Sequence, residues 1–91
     1  MPPPTDSSQP RLAAGCRWGN IADDPAILFP EGMIRVQGTG QAILALCDGT
    51  RTVAEIGKIL TAKYAGVDPA KVRRDVSKFL EDLQARRIID Y

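Results

Sequence analysis

The chain has 91 residues, balances Lys+Arg 12 against Asp+Glu 11 for a formal net charge of +1, and contains no histidine. That length holds one domain and not a substrate domain beside a cofactor domain, and the near-neutral charge gives no field to gather phosphate backbone or anionic lipid from a distance. Without imidazole, the usual acid–base group near neutral pH and the commonest metal ligand are missing, so a binding module is expected before an enzyme.

Residues 1–10 hold Pro2, Pro3, Pro4, Ser7, Ser8 and Pro10 with almost nothing apolar besides the prolines, which predicts a disordered tail. The remainder, residues 11–91, is expected to be the ordered domain. Cys16, Arg17 and Trp18 suggest a short strand before Gly19-Asn20, with Trp18 assigned to core packing; Asp23, Asp24 and Pro25 signal a loop. Residues 26–29 form a compact apolar run suited to a second strand, and Pro30-Glu31-Gly32 is a turn. Residues 33–37 then alternate, with Ile34 and Val36 on one face and Met33, Arg35 and Gln37 on the other, as a half-buried third strand does.

Helical spacing begins after Gly38-Thr39-Gly40, where Thr39 is the expected N-cap of a helix over residues 40–47 that Gly49 brings to a stop. Thr52 followed three positions later by Glu55 is a capping box opening a second helix over residues 53–65, closed by Gly66. Asp68-Pro69 supplies an N-cap and a first-turn proline for a third helix, whose Val72, Val76, Phe79, Leu80 and Leu83 make one apolar stripe. Arg86 and Arg87 are placed in its last turn, beside the negative end of the helix dipole. Ile88, Ile89 and Tyr91 end the chain as a short extended piece lying against the body. Cys16 and Cys47 stand apart without CxxC spacing and are read as reduced thiols, Cys47 as a small buried helix residue. No apolar run approaches the roughly 18 residues of a membrane span, and the first residues lack the charged-then-apolar order of a signal peptide, so a cytoplasmic protein off the membrane is expected.

A three-stranded antiparallel sheet followed by three helices is an α+β, winged-helix-turn-helix-like fold, and it raises DNA binding as one reading. Charge argues against it: Lys71, Arg73, Arg74 and Lys78 on the third helix are interleaved with Asp75, Glu81 and Asp82, whereas nucleic-acid affinity rests largely on phosphate contacts. No nucleophile–base pair, phosphate loop or metal-ligand cluster is visible. A short sheet also has open edges, onto which an extended peptide or a second copy of the chain can add through main-chain hydrogen bonds.

The order PEGMIRV, then AILALCDGTRTVAEI, then DVSKFLEDLQARRII resembles the pyrroloquinoline quinone (PQQ) biosynthesis protein D family, stand-alone relatives of the recognition domains for ribosomally synthesised, modified peptides. The resemblance runs over residues 11–89, and LCDGTRTVAEI is its most specific segment. It implies a peptide chaperone, monomeric or weakly dimeric, that binds no cofactor or metal itself. Such a protein takes the leader of a PqqA-like precursor peptide as an added strand and presents it to a PqqE-like radical SAM enzyme that joins a glutamate to a tyrosine. Carried onto this chain, the resemblance implies peptide contacts from Met33, Ile34, Arg35, Val36 and Gln37 of the third strand, mainly through backbone. It further implies contacts from Arg73, Val76, Ser77 and Leu80 of the third helix, and assigns Asp48 and Gly49 to the turn.

Overall fold

A computed structural model describes residues 3–64 and 66–91. Its elements are β1 (Arg11–Leu12), β2 (Arg17–Ile21), β3 (Asp24–Phe29), β4 (Gly32–Arg35), α1 (Gly38–Ala45), α2 (Val53–Lys63), α3 (Pro69–Ala85) and β5 (Ile89–Asp90). Strands β2, β3 and β4 form an antiparallel sheet in that order, and β1 pairs with β5 in a separate two-stranded ribbon. The expected sheet and three helices are therefore present, with a ribbon added.

The turn chemistry explains the differences at element ends. The Asp23-Asp24-Pro25 loop is tighter than expected: Ile21 pairs with Asp24, and Ala22 and Asp23 both take positive φ (48° and 72°), the two-residue hairpin geometry that matches strand twist. Helix α1 starts and ends two residues earlier than expected, because Gly38 at φ +59° turns the chain out of β4 directly. Gln37 is its N-cap, without a side-chain bond, so Thr39 lies inside the helix rather than capping it. The capping box of α2 is formed in both directions, Glu55 N–H to Thr52 Oγ1 at 3.2 Å and Thr52 N–H to Glu55 Oε1 at 2.9 Å. Ala65, the expected last residue of that helix, lies outside the described residues. Asp68 caps α3 by accepting from the Ala70 N–H at 3.0 Å, with Pro69 at the first helical position.

At the other end of α3, Arg86 and Arg87 fall just beyond the last turn. Arg87 is left-handed (φ 61°), its N–H reaches the Gln84 carbonyl and the Ile88 N–H reaches the Leu83 carbonyl, a Schellman closure. That closure drives Ile88 and Ile89 fully into the core, where β5 meets β1, as the apolar ending implied.

The core joins Ile27 and Val36 of the sheet region, Ile43 and Leu44 of α1, Val53, Ile56 and Leu60 of α2, and Val76, Leu80 and Leu83 of α3. Leu80 is 0% exposed, and burial of such a side chain stabilises by roughly 1.5–3 kcal/mol. Trp18, expected in the core, is 41% exposed on the outer strand β2.

Residues 1–10 were expected to form a disordered tail. Met1 and Pro2 lie outside the described residues, but residues 6–10 are fastened to the body. The carbonyls of Asp6, Ser8 and Pro10 accept from the N–H groups of Ala54, Val53 and Gly49, and Pro10 is buried. Two of those donors are first-turn amides of α2 that have no partner within the helix, so docking the segment satisfies groups that composition does not reveal.

Candidate functional site

The sheet has two outer edges, on β2 and on β4, and the edge of β4 is the one the sequence resemblance implies as the peptide site. Its register pairs Gly32 with Phe29, Met33 with Leu28, Ile34 with Ile27 and Arg35 with Ala26. The ladder continues one step further, with the Val36 N–H donating to the Pro25 carbonyl at 3.0 Å. Antiparallel pairs alternate between bonded and non-bonded, so Gly32, Ile34 and Val36 point their N–H and C=O groups inward to β3. Met33 and Arg35 point theirs outward, where no strand among the described residues lies beside β4.

The five residues implied for the strand thus divide in function. Ile34 and Val36 direct side chains to the core face, where Val36 is buried and Ile34 half-buried against the core. Met33 is 55% exposed, and Arg35 forms a solvent-exposed ion pair with Asp24 at 3.5 Å. Gln37 is not in the strand but is the N-cap of α1, with φ −142° and ψ 160°, so the extended backbone carries on past the last paired residue.

Of the four α3 residues, Val76 and Leu80 are 1% and 0% exposed and belong to the core, so their side chains are not available to a ligand. Arg73 and Ser77 lie on the flank turned toward α2 and the N-terminal segment. Arg73 Nη2 is 2.7 Å from Asp6 Oδ2, and its Cγ lies 3.4 Å from where a Cβ on Gly57 would be. The opposite flank of α3 faces the exit from β4. Phe79 packs there, its ring 3.2 Å from the position a Cβ on Gly40 would take, and Val72 and Asp75 share a hollow with Thr39 and Ile43. Phe79 is half-buried and stands beside the path of the chain leaving β4. Sequence spacing placed it in the core stripe; Gly40 is the signal that marks its other contact, since a glycine inside a helix commonly records a close approach.

The titratable groups do not assemble a reactive centre. Burial, with the Asp48 carboxylate adding to it, pushes the Cys47 thiol up to about 12, and its Sγ is engaged with the Ile43 carbonyl at 3.2 Å. Cys16 is also shifted upward, chiefly by desolvation, so neither thiol has the lowered pKa of a nucleophile. Asp48 is held below the usual carboxylate range by the Thr50 backbone and hydroxyl, with which it closes the turn before α2. Among the described residues no group of three or more Cys, Asp or Glu side chains is placed to hold a metal ion, and no helix is long and apolar enough to cross a membrane.

Comparison with known proteins bears on the family and the fold. The family model for coenzyme PQQ synthesis protein D (PqqD) matches residues 26–89. A PqqA binding protein of Methylococcus capsulatus is 38% identical over 77 residues, covering 82% of each chain, and one from Kluyvera intermedia is 37% identical over 78 residues, covering 84% of this chain and 83% of that one. Among solved structures, the solution structure of the PqqD truncation of Methylobacterium extorquens PqqCD, described as a functional stand-alone recognition element, superposes with a TM-score of 0.77 at 30% identity. That match covers 96% of this chain and 94% of the other. TbiB1 in complex with the TbiA(beta) leader peptide has the same fold, with a TM-score of 0.76 at 23% identity over 88% of this chain and 94% of that one.

Proposed function

This chain belongs to the PqqD family, and from that premise we propose that it is a non-catalytic chaperone of coenzyme PQQ biosynthesis which binds a PqqA-like precursor peptide. The observation that carries the reading is the open edge of β4, where Met33 and Arg35 offer two N–H and two C=O groups to an incoming extended chain. Main-chain bonds of this kind supply affinity that is indifferent to side-chain identity, and neighbouring pockets supply the selection. A strand added there sets alternate side chains on the core face of the sheet, toward the α3 flank that carries Phe79, and the others beside Met33 and Arg35 on the outer face. The handed-over peptide then goes to a radical SAM enzyme, so the chaperone holds the leader while the modified region stays free.

Titration of the ¹⁵N-labelled protein with a synthetic precursor leader tests this. Amide shifts centred on Met33, Arg35 and Gln37, with Phe79 responding on α3, are expected. Shifts on β2 alone, or none at saturating peptide, would refute addition at β4.

A further inference from the structure

The flank of α3 that turns away from β4 gathers more cations than carboxylates: Lys58, Arg73, Arg74 and Lys78 line its hollows against Asp6 and Glu81. Arg73, Arg74 and Lys78 border one hollow, and Arg73 and Lys58 border a second that adjoins it across α2. Among the described residues, Lys58, Arg74 and Lys78 make no ion pair. Arg73 does, but with Asp6 of the docked N-terminal segment, and both side chains remain more than half exposed, at 57% and 64%. A pair that exposed is weak and displaceable. The hollows are also lined by small side chains, Ala54 on α2 and Ala70 and Ser77 on α3, which leave room beside the cations.

We propose that this α2–α3 face docks an acidic segment of a partner protein, whose carboxylates sit on Lys58, Arg73, Arg74 and Lys78, and that Asp6 is the intramolecular occupant it displaces. The chain itself shows what the slot accepts: a carboxylate 2.7 Å from the Arg73 guanidinium, presented from the turn that the Ser8 N–H closes onto the Thr5 carbonyl. Carboxylates on a protein are favoured over a phosphate backbone because Glu81 lies on the same rim as Arg74 and Lys78. A continuous row of phosphates would meet that negative charge, whereas a peptide can place an uncharged residue opposite it. The face lies on the other flank of α3 from the edge of β4, so it does not depend on peptide binding there, and both surfaces can be occupied together.

The test uses a fluorescein-labelled decapeptide of alternating Glu and Ala as probe, with duplex DNA of similar length in parallel, read by anisotropy and by ¹⁵N-HSQC. Saturable probe binding is expected, with shifts at Lys58, Arg73, Arg74, Ser77 and Lys78. The double variant R74E/K78E should weaken it by about tenfold or more while leaving the fold and precursor-leader binding intact, since both side chains are exposed. D6N should tighten it by about twofold to fivefold by removing the competing carboxylate. The proposal is overturned if the probe does not bind saturably or shifts residues elsewhere. It is equally overturned if R74E/K78E binds the probe as well as the parent does, or if duplex DNA binds more tightly than the probe with a steep salt dependence.

Discussion

Replacing Arg35 by proline separates backbone recognition from every other explanation of peptide binding at β4. The Arg35 N–H points to the open edge, while the bonds that hold β4 to β3 belong to Gly32, Ile34 and Val36, so the substitution removes one outward donor and leaves the internal ladder whole. A net main-chain hydrogen bond is worth about 0.5–1.5 kcal/mol, which is about twofold to twelvefold in Kd. Losing the Arg35–Asp24 pair changes stability by at most about 1 kcal/mol, and less after solvent screening, because the partners are 48% and 45% exposed. R35A is the control: it deletes the same guanidinium but keeps the N–H, and should bind the leader like the parent. I34P is the contrasting variant, since the Ile34 N–H is engaged with Ile27 and its loss should damage the sheet itself. Isothermal titration calorimetry with the leader peptide, alongside urea melts, reads all three. A folded R35P that binds with parental affinity, or an R35A that loses as much as R35P, would refute strand addition at this edge.

Other outcomes follow from the same structure. Thr52→Ala breaks the capping box and should cost about 1 kcal/mol, seen as a Tm lowered by about 4–8 °C, with no direct effect on leader affinity. Leu80→Ala should cost about 2–5 kcal/mol in a urea melt, and any loss of binding should track unfolding, because the side chain is fully buried; a stable variant selectively defective in binding would contradict its core position. With Ellman's reagent at pH 8, Cys16 should react in the native protein and Cys47 only on unfolding, its buried thiol having been raised to about 12. Asp48 and Glu55 are both held below their ordinary values of 3.8 and 4.5, by the bonds each accepts from Thr50 and Thr52 respectively. Their stabilisation is therefore present above pH 4.5 and is lost as the pH falls through their lowered values, so Tm should drop on acidification in the parent and drop less in a D48N/E55Q variant.

Much of the fold was legible because the decisive signals were local. The Thr52–Glu55 box, Asp68-Pro69 and the alternation from Met33 to Val36 each act within a few residues, and each is found where spacing placed it. The misplacements share a cause. Thr39 has the right chemistry for an N-cap, but Gly38 had already turned the chain, and a positive φ at one glycine is not announced by its neighbours. Residues 6–10 read as a tail because the donors they satisfy, the N–H groups of Gly49, Val53 and Ala54, sit far along the chain in the turn before α2 and at its start. Trp18 had the composition of a core residue but lies on an outer strand.

The candidate site divides along the same line. Periodicity alone determined that β4 is half-buried, that Ile34 and Val36 share a face, and that α3 carries one apolar stripe, because side-chain direction repeats every two residues in a strand and every 3.6 in a helix. Only the tertiary structure decided that β4 is an outer strand, that Met33 and Arg35 hold its free hydrogen-bonding groups, and that Phe79 rather than Arg73 or Ser77 is on the flank beside it. Those facts depend on which strand lies next to which and on how α3 is rotated against α1 and α2. Both are set by contacts between residues far apart in the chain, and no repeat within a single element records them.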